Sequence, residues 1–192
     1  MLTLLTEWDQ WLFGWFNGEW HNAFLDWLMP YWRNKKTWIP MYVLILAIIA
    51  KDRGLKTFWV LLVMGLTIAL ADQVSSQWIK KFFMRPRPCN TPELEGARLL
   101  LDHCGSGYSF TSSHATNHFA VAMQFYNLFQ LSWKKHYFVL LFIWAGLIAY
   151  GQVYVGVHYP FDVFCGAILG CLLATLVYAF CGWLGIIKRI WS

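Results

Sequence analysis

Long apolar runs separated by short polar ones set the pattern of this 192-residue chain. Apolar side chains are nearly continuous over residues 38–50, a run that 31–37 lengthens, and again over 57–79, 115–133, 137–155 and about 161–184. Each run approaches the roughly 20 residues that a tilted helix needs to cross about 30 Å of hydrocarbon. The pattern predicts an all-α fold, an integral-membrane helical bundle of about five transmembrane helices. Residues 1–29 follow a different rule. Glu7, Asp9, Glu19 and Asp26 are interleaved there with Trp8, Trp11, Leu12, Trp15, Trp20, Phe24 and Trp27, which predicts helices lying in the membrane interface rather than a span.

Composition agrees with a membrane protein. The chain is 58% hydrophobic and 13% charged, against about 45–50% and about 25% in an average soluble domain. Its 13 tryptophans and 9 tyrosines suit the headgroup level of a bilayer. No internal repeat or low-complexity linker divides it, so 1–192 is read as a single domain. Glu7 and Asp9 lie where a cleaved leader would carry basic residues, so the chain is expected to be complete and to keep its N-terminal segment.

Charge gives an orientation. With five spans, Lys51, Arg53 and Lys56, then Lys134 and Lys135, then Lys188 and Arg189 share one side; Arg33, Lys35 and Lys36 lie on the other with a long loop over about 80–110. Excess lysine and arginine marks the cytoplasmic side. The expectation is therefore a multi-pass protein of the inner (plasma) membrane, with a cytoplasmic C-terminus and the 80–110 loop facing the periplasm or outside. Cys165, Cys171 and Cys181 fall in the last span and are read as packing residues. Cys89 and Cys104 lie in the outward loop, where they could form a disulfide or stay free.

Ionisable groups at a membrane edge are costly and mark function. They occur in three clusters: Lys80, Lys81, Arg85 and Arg87 with Pro86 and Pro88; Thr111-Ser112-Ser113-His114; and the segment from Gln152 to Asp162. In an antiparallel bundle all three converge on the outer face. The first can clamp a phosphate through arginine forks and lysine charges, or it can be a basic patch contacting anionic headgroups. Ser112 is placed to cap the third span, and a helix N-terminus binds phosphate readily. His118, one turn past His114, lacks the glutamate of a metalloprotease helix and is read as a packing residue. His158 and Asp162 are spaced to share a helix face, where the carboxylate can orient the imidazole. Below Asp162, Gly166, Gly170 and Ala174 form a small-residue stripe suited to close helix packing. Asp72, Gln73, Ser76 and Gln77, just before Lys80, are read as interhelical hydrogen-bonding groups.

Lys80-x6-Arg87-Pro88, Thr111-Ser112-Ser113-His114 and Gly151-Gln152-x5-His158-x3-Asp162 together resemble the three signatures of the type-2 phosphatidic acid phosphatase and vanadium haloperoxidase superfamily, over about residues 72–170. The resemblance implies hydrolysis of a lipid-linked phosphate or diphosphate through a phosphohistidine, without a metal or other cofactor. It makes His158 the nucleophile, Asp162 its orienting partner and His114 the acid that protonates the leaving oxygen. Lys80, Arg87, Ser112 and Ser113 would hold the phosphate. Two departures stand out. Thr111 and Ser113 replace the usual proline and glycine, and Gly151-Gln152 replaces the usual serine-arginine pair. The lost arginine would weaken transition-state binding by about 2–4 kcal/mol unless Arg85 or Lys81 substitutes, with Gln152 donating only an amide hydrogen bond. Expected partners are the bilayer and a membrane lipid phosphate, with no nucleic acid. The substrate is expected to be a polyprenyl diphosphate or phospholipid phosphate, with a lipid A phosphate, or a low-activity lipid-phosphate-binding homologue, as the alternatives. A haloperoxidase is disfavoured by the membrane composition.

Overall fold

The computed structural model describes residues 2–92, 94 and 96–192, which form helices and loops with no strand among them. Helix α1 spans Leu2–Gly14 and is prolonged by a wide turn over Trp15–Glu19; α2 spans Ala23–Trp32, started by Asn22, whose side chain accepts from the Leu25 amide at 2.9 Å. A tight turn over Lys35–Trp38 leads to α3, Ile39–Arg53, with a proline in its first turn. Gly54, at φ 56°, reverses the chain into α4, Thr57–Asp72. The helix continues through a wide turn over Gln73–Ile79 into the short α5, Lys80–Phe83. After a long loop come α6, Ser113–Phe129, α7, Lys135–Tyr154, α8, Pro160–Trp183, and α9, Ile186–Trp191.

Residues 35–90, 135–154 and 160–183 are long and apolar enough to cross a membrane by length and composition. The first stretch is broken at Gly54 into two helices, α3 and α4. Helix α6, 17 residues long, is the innermost: Thr116, His118, Gln124 and Asn127 are all buried among its neighbours. Its polar groups therefore face protein, while Val43, Leu44, Phe58, Phe164, Leu172 and Leu176 present apolar side chains outward, as lipid contact requires.

One boundary differs from expectation. Residues 31–37 do not extend the first span, because α2 ends at Trp32 and the chain turns. Asn34 caps the turn by accepting from the Lys36 amide at 3.0 Å, and the Trp38 indole donates to the Trp32 carbonyl at 2.8 Å. Arg33 is the last residue in helical conformation before this turn, its amide still donating to the Met29 carbonyl at 3.1 Å.

Both N-terminal helices expose rows of aromatic rings, Trp8, Trp11 and Trp15 on one and Phe24, Trp27 and Tyr31 on the other. Their inner faces are fastened to the bundle by polar bonds. Asn17 donates to the carbonyls of Arg98 at 2.9 Å and Tyr154 at 2.7 Å and accepts from the Arg98 amide at 2.7 Å. Asp26 accepts from Arg98 at 2.5 Å and from the Tyr154 hydroxyl at 2.6 Å. The Arg98 hydrogen bond is the main reason the Asp26 carboxyl lies below its ordinary pKa. A disulfide joins Cys89 to Cys104 and closes the loop between α5 and α6.

The tightest helix pair is α6 against α8. A β-carbon at Gly170 would stand 2.2 Å from the Thr116 carbonyl oxygen and 2.9 Å from the Ala120 nitrogen; one at Gly166 would stand 2.8 Å from the Ser112 carbonyl oxygen. Backbone cannot yield as a side chain can, so the stripe sets how closely α8 carries Asp162 to the start of α6. Gly170→Ala should cost about 1–3 kcal/mol through overpacking. Thermal unfolding in detergent reads this directly, and an unchanged midpoint would contradict the packing account.

Candidate active site

The Asp162 carboxylate is fully buried in the first turn of α8 and uses both oxygens. Oδ1 accepts from Arg85 Nη1 at 2.8 Å. Oδ2 accepts from the Tyr159 amide at 2.9 Å, which caps α8, and from the Ser109 hydroxyl. His158 Nδ1 lies 3.5 Å from the same oxygen and 3.4 Å from Ser109 Oγ. Arg85 in turn reaches Asp9 of α1 at 2.7 Å, and Asp9 accepts from the Phe161 amide at 2.8 Å. Removing one partner from a buried ion pair typically costs about 3–5 kcal/mol, so this chain of contacts fixes α1, the loop between α5 and α6, and α8 together.

His158 follows α7 in a short turn that Gly156 makes possible: its φ is 88°, and a β-carbon there would strike the Arg98 carbonyl oxygen at 2.2 Å. Arg87 Nη1 is 3.4 Å from His158 Nε2. A guanidinium can only donate, so Nε2 is the unprotonated nitrogen and Nδ1 carries the proton toward Asp162. Burial pushes the His158 pKa down to about 4, outweighing the opposing pull of Asp162. The imidazole is neutral at pH 7, with its lone pair directed away from the carboxylate.

Arg87 is oriented by three backbone carbonyls, Val157 at 3.1 Å, Gly107 at 3.3 Å and Ser106 at 3.4 Å. Two of these lie just past Cys104, so the disulfide holds the segment that aims this arginine. Arg87, Lys80, Ser113, His114, Gln152 and His158 line one cavity of about 1600 Å³. The same cavity continues between α3 and α4, along Tyr42, Ile45 and Ile49 on one wall and Ile68, Met64 and Val60 on the other. From Lys80 back to Val60 is about 30 Å of helix at about 1.5 Å per residue. A polar head is thus joined to an apolar channel, the two together spanning about 30 Å.

Most of the residues expected at the site converge there, but two take other positions. Arg85 does not line the cavity; its guanidinium is engaged by Asp9 and Asp162 and stacks over the Tyr159 ring at 3.9 Å. Ser112 is fully buried, with its hydroxyl capping α6 by accepting from the Ala115 amide at 3.4 Å. Ser113, by contrast, reaches the cavity and shares a 2.8 Å hydrogen bond with Ser76. His118 donates back to the His114 carbonyl at 2.7 Å and stacks against the His114 ring, a packing arrangement. Among the described residues no cluster of three histidine, cysteine or acidic side chains is arranged to hold a metal ion.

Three contributors escaped the sequence reading: Arg33, Asp9 and Ser109. Arg33 Nε and Nη2 donate to Gln152 Oε1 at 3.1 and 2.9 Å, on the cavity wall. In the sequence it is one more base near a predicted turn, and Asp9 is one of four acids in an aromatic segment. Ser109 lies only three residues before Ser112, yet nothing in its immediate neighbourhood announces a carboxylate partner.

Comparison with known proteins agrees with this geometry. The model of the PAP2 superfamily matches residues 56–185. A lipid A 4'-phosphatase of Bacteroides thetaiotaomicron is 34% identical over 181 residues, covering 93% of this chain and 79% of that protein. The crystal structure of a transmembrane PAP2-type phosphatidylglycerolphosphate phosphatase from Bacillus subtilis superposes with a TM-score of 0.69 at 25% identity, over 93% of this chain and 87% of that one. That of Aquifex aeolicus LpxE gives 0.65 at 27% identity, over 88% and 93%. With a buried His–Asp pair facing a cationic cavity, in a helical membrane bundle whose sequence matches these relatives, the chain belongs to the PAP2 superfamily and is a bacterial membrane lipid phosphatase.

Proposed function

We propose that this phosphatase cleaves its lipid phosphate by in-line attack of His158 Nε2 on phosphorus. The observation that carries the reading is the placement of His158, whose Nδ1 faces Asp162 and whose Nε2 opens on Arg87 and the cavity. As the N–P bond forms, the bond from phosphorus to the lipid oxygen breaks, and His114, held as imidazolium by the bound phosphate anion, gives that oxygen a proton. Asp162 stabilises the imidazolium-like character of the phosphorylated ring. His114, now neutral, takes a proton from water, which attacks phosphorus from the side the lipid has left and releases phosphate and free His158. Lys80, Arg87 and the amide groups at the start of α6 face the equatorial oxygens, where charge is spread in the transition state. Ser113, rather than Ser112, offers the hydroxyl on the cavity side.

The apolar channel between α3 and α4 suits a substrate that keeps its tails in the bilayer. Beneath Lys80 the wall carries Asp72, Gln73 and Asn117, with Asn117 donating to Asp72 at 3.1 Å. Hydrogen-bonding groups at this depth suit hydroxyls or amides next to the phosphate better than a bare polyprenyl chain. Together with the relative that is named a lipid A 4'-phosphatase and covers 93% of this chain, they favour a phosphorylated glycolipid of the lipid A type. Polyprenyl diphosphate and phosphatidylglycerol phosphate are the comparison substrates.

The site is assigned to the outer face of the inner membrane, with the C-terminus in the cytoplasm. Lysine and arginine distribution supports this, and so does the Cys89–Cys104 disulfide on the same face as the site, since disulfides persist in oxidising compartments.

Three outcomes test these assignments. In a phosphate-release panel of the three lipid classes, His158→Ala should lower kcat by more than about 10³-fold, and quenched wild-type enzyme should carry an acid-labile phosphate on His158. Unchanged release by His158→Ala would falsify the mechanism, and a preference for polyprenyl diphosphate would overturn the glycolipid assignment. An NMR titration of the His158 ring should give a midpoint near 4, not 6.5. The unfolded chain then binds a proton between pH 6.5 and about 4 that the folded chain excludes, so stability falls as pH drops through that window. In intact cells, a membrane-impermeant maleimide should label Cys89 and Cys104 only after an impermeant reductant; no labelling even then would place the loop on the other side.

A further inference from the structure

Arg33 is a cation with no anionic partner in an otherwise economical site. It follows α2 and lines the cavity with Lys80, Arg87, His114 and His158. None of the acidic side chains among the described residues forms an ion pair with it. Two of its N–H groups go to the Gln152 amide oxygen, and the remaining ones have no protein acceptor among the described residues. Burial pushes its pKa down to about 10, with the charge of nearby Arg87 acting in the same direction. Two guanidinium groups held together away from full hydration need an anion between or beside them.

The neighbouring residues are shaped around Arg33. A β-carbon at Gly151 would lie 3.3 Å from the Arg33 β-carbon and 3.7 Å from the Met29 sulfur, so the absence of a side chain there is what admits the end of α2. Gln152 is fully buried, and its carbonyl oxygen meets both Nε and Nη2, which fixes the plane of the guanidinium. The Gly151-Gln152 pair that stands where serine-arginine was expected is therefore not merely a loss of charge. One residue makes room and the other supplies the acceptor.

We propose that Arg33 is a phosphate-binding catalytic residue of this site, supplying from the joint between α2 and α3 the guanidinium that the Gly151-Gln152 segment lacks. Its free N–H groups take an equatorial phosphoryl oxygen beside Arg87 and Lys80. This rests on the reading of the cavity as the phosphoryl-transfer site. It also makes the N-terminal segment part of the catalytic unit, although the matched PAP2 region begins only at residue 56.

The test uses the full-length enzyme in detergent with wild type, Arg33→Ala, Arg33→Lys and the exchange variant Arg33→Ala/Gln152→Arg. Phosphate release from a lipid phosphate gives kcat and KM; inhibition by vanadate, a mimic of the five-coordinate phosphorus, gives anion affinity without turnover. Arg33→Ala should lower kcat by about 10²–10³-fold and weaken vanadate inhibition by at least about tenfold, with partial recovery of kcat on adding guanidinium ion. Arg33→Lys, which keeps charge and bulk but loses the fork, should fall between. The exchange variant should recover at least about tenfold of the Arg33→Ala loss. Wild-type vanadate inhibition in either single variant would overturn the proposal. So would an Arg33→Ala loss that neither guanidinium nor the exchange restores, since that is the signature of a structural role. Failure of the cavity reading itself is distinguishable, because it would show as full activity in His158→Ala whatever Arg33 does.

Discussion

The fully buried carboxylate of Asp162 is the constraint on which the rest of the structure depends. An anion in the first turn of a membrane helix is tolerated only if its oxygens are fully occupied. Arg85, Ser109, the Tyr159 amide and His158 occupy them. These partners come from the loop between α5 and α6 and from the turn before α8, and Arg85 extends the connection to Asp9 in α1. The same contacts that satisfy one charge therefore assemble segments far apart in sequence, and they orient His158 as a by-product. Gly166 and Gly170 make this possible by letting α8 approach α6 closely enough to bring Asp162 beside the start of α6.

On the other face of His158 the electrostatics are reversed. Asp162 and Asp9 balance Arg85 behind the imidazole, whereas Arg87, Lys80 and Arg33 face the cavity without a carboxylate among the described residues paired to any of them. One ring separates the two carboxylates bridged by Arg85 from a cavity wall that carries Lys80, Arg87 and Arg33. In the proposed reaction these cations would face the phosphate as it meets the unprotonated Nε2. The cations also explain why the backbone around Arg87 is so heavily fixed, by the disulfide, by Gly107 and Ser106 and by Val157. A clamp that must not collapse on its own repulsion needs rigid support when empty.

The channel between α3 and α4 connects this chemistry to the bilayer. Because α4 runs on through the wide turn over Gln73–Ile79 into α5, which begins at Lys80, one continuous helical segment lines both the apolar channel and the cationic head. Arg33 brings the N-terminal helices into the same unit, since Gly151 admits it and Gln152 orients it. A phosphate oxygen is sensitive to where a guanidinium stands, not to which segment delivers it. A cation can therefore move from α7 to the end of α2, provided the vacated position gives up its side chain and offers an acceptor.

The sequence by itself determined the helical membrane fold, the convergence of three polar clusters on one face, and that His158, Asp162, His114, Lys80 and Arg87 would lie together there. It could do so because apolar periodicity and the cost of membrane-edge charge are local properties, and because motif spacing within one segment survives folding. Only the tertiary structure decided that Arg85 supports Asp162 rather than the substrate, that Ser112 caps a helix while Ser113 reaches the cavity, and that Cys89 pairs with Cys104. It alone also brought Asp9, Ser109 and Arg33 to the site. Those outcomes depend on which buried charge finds which partner, and pairing energies across 77 residues, as between Arg85 and Asp162, leave no periodic trace in the chain.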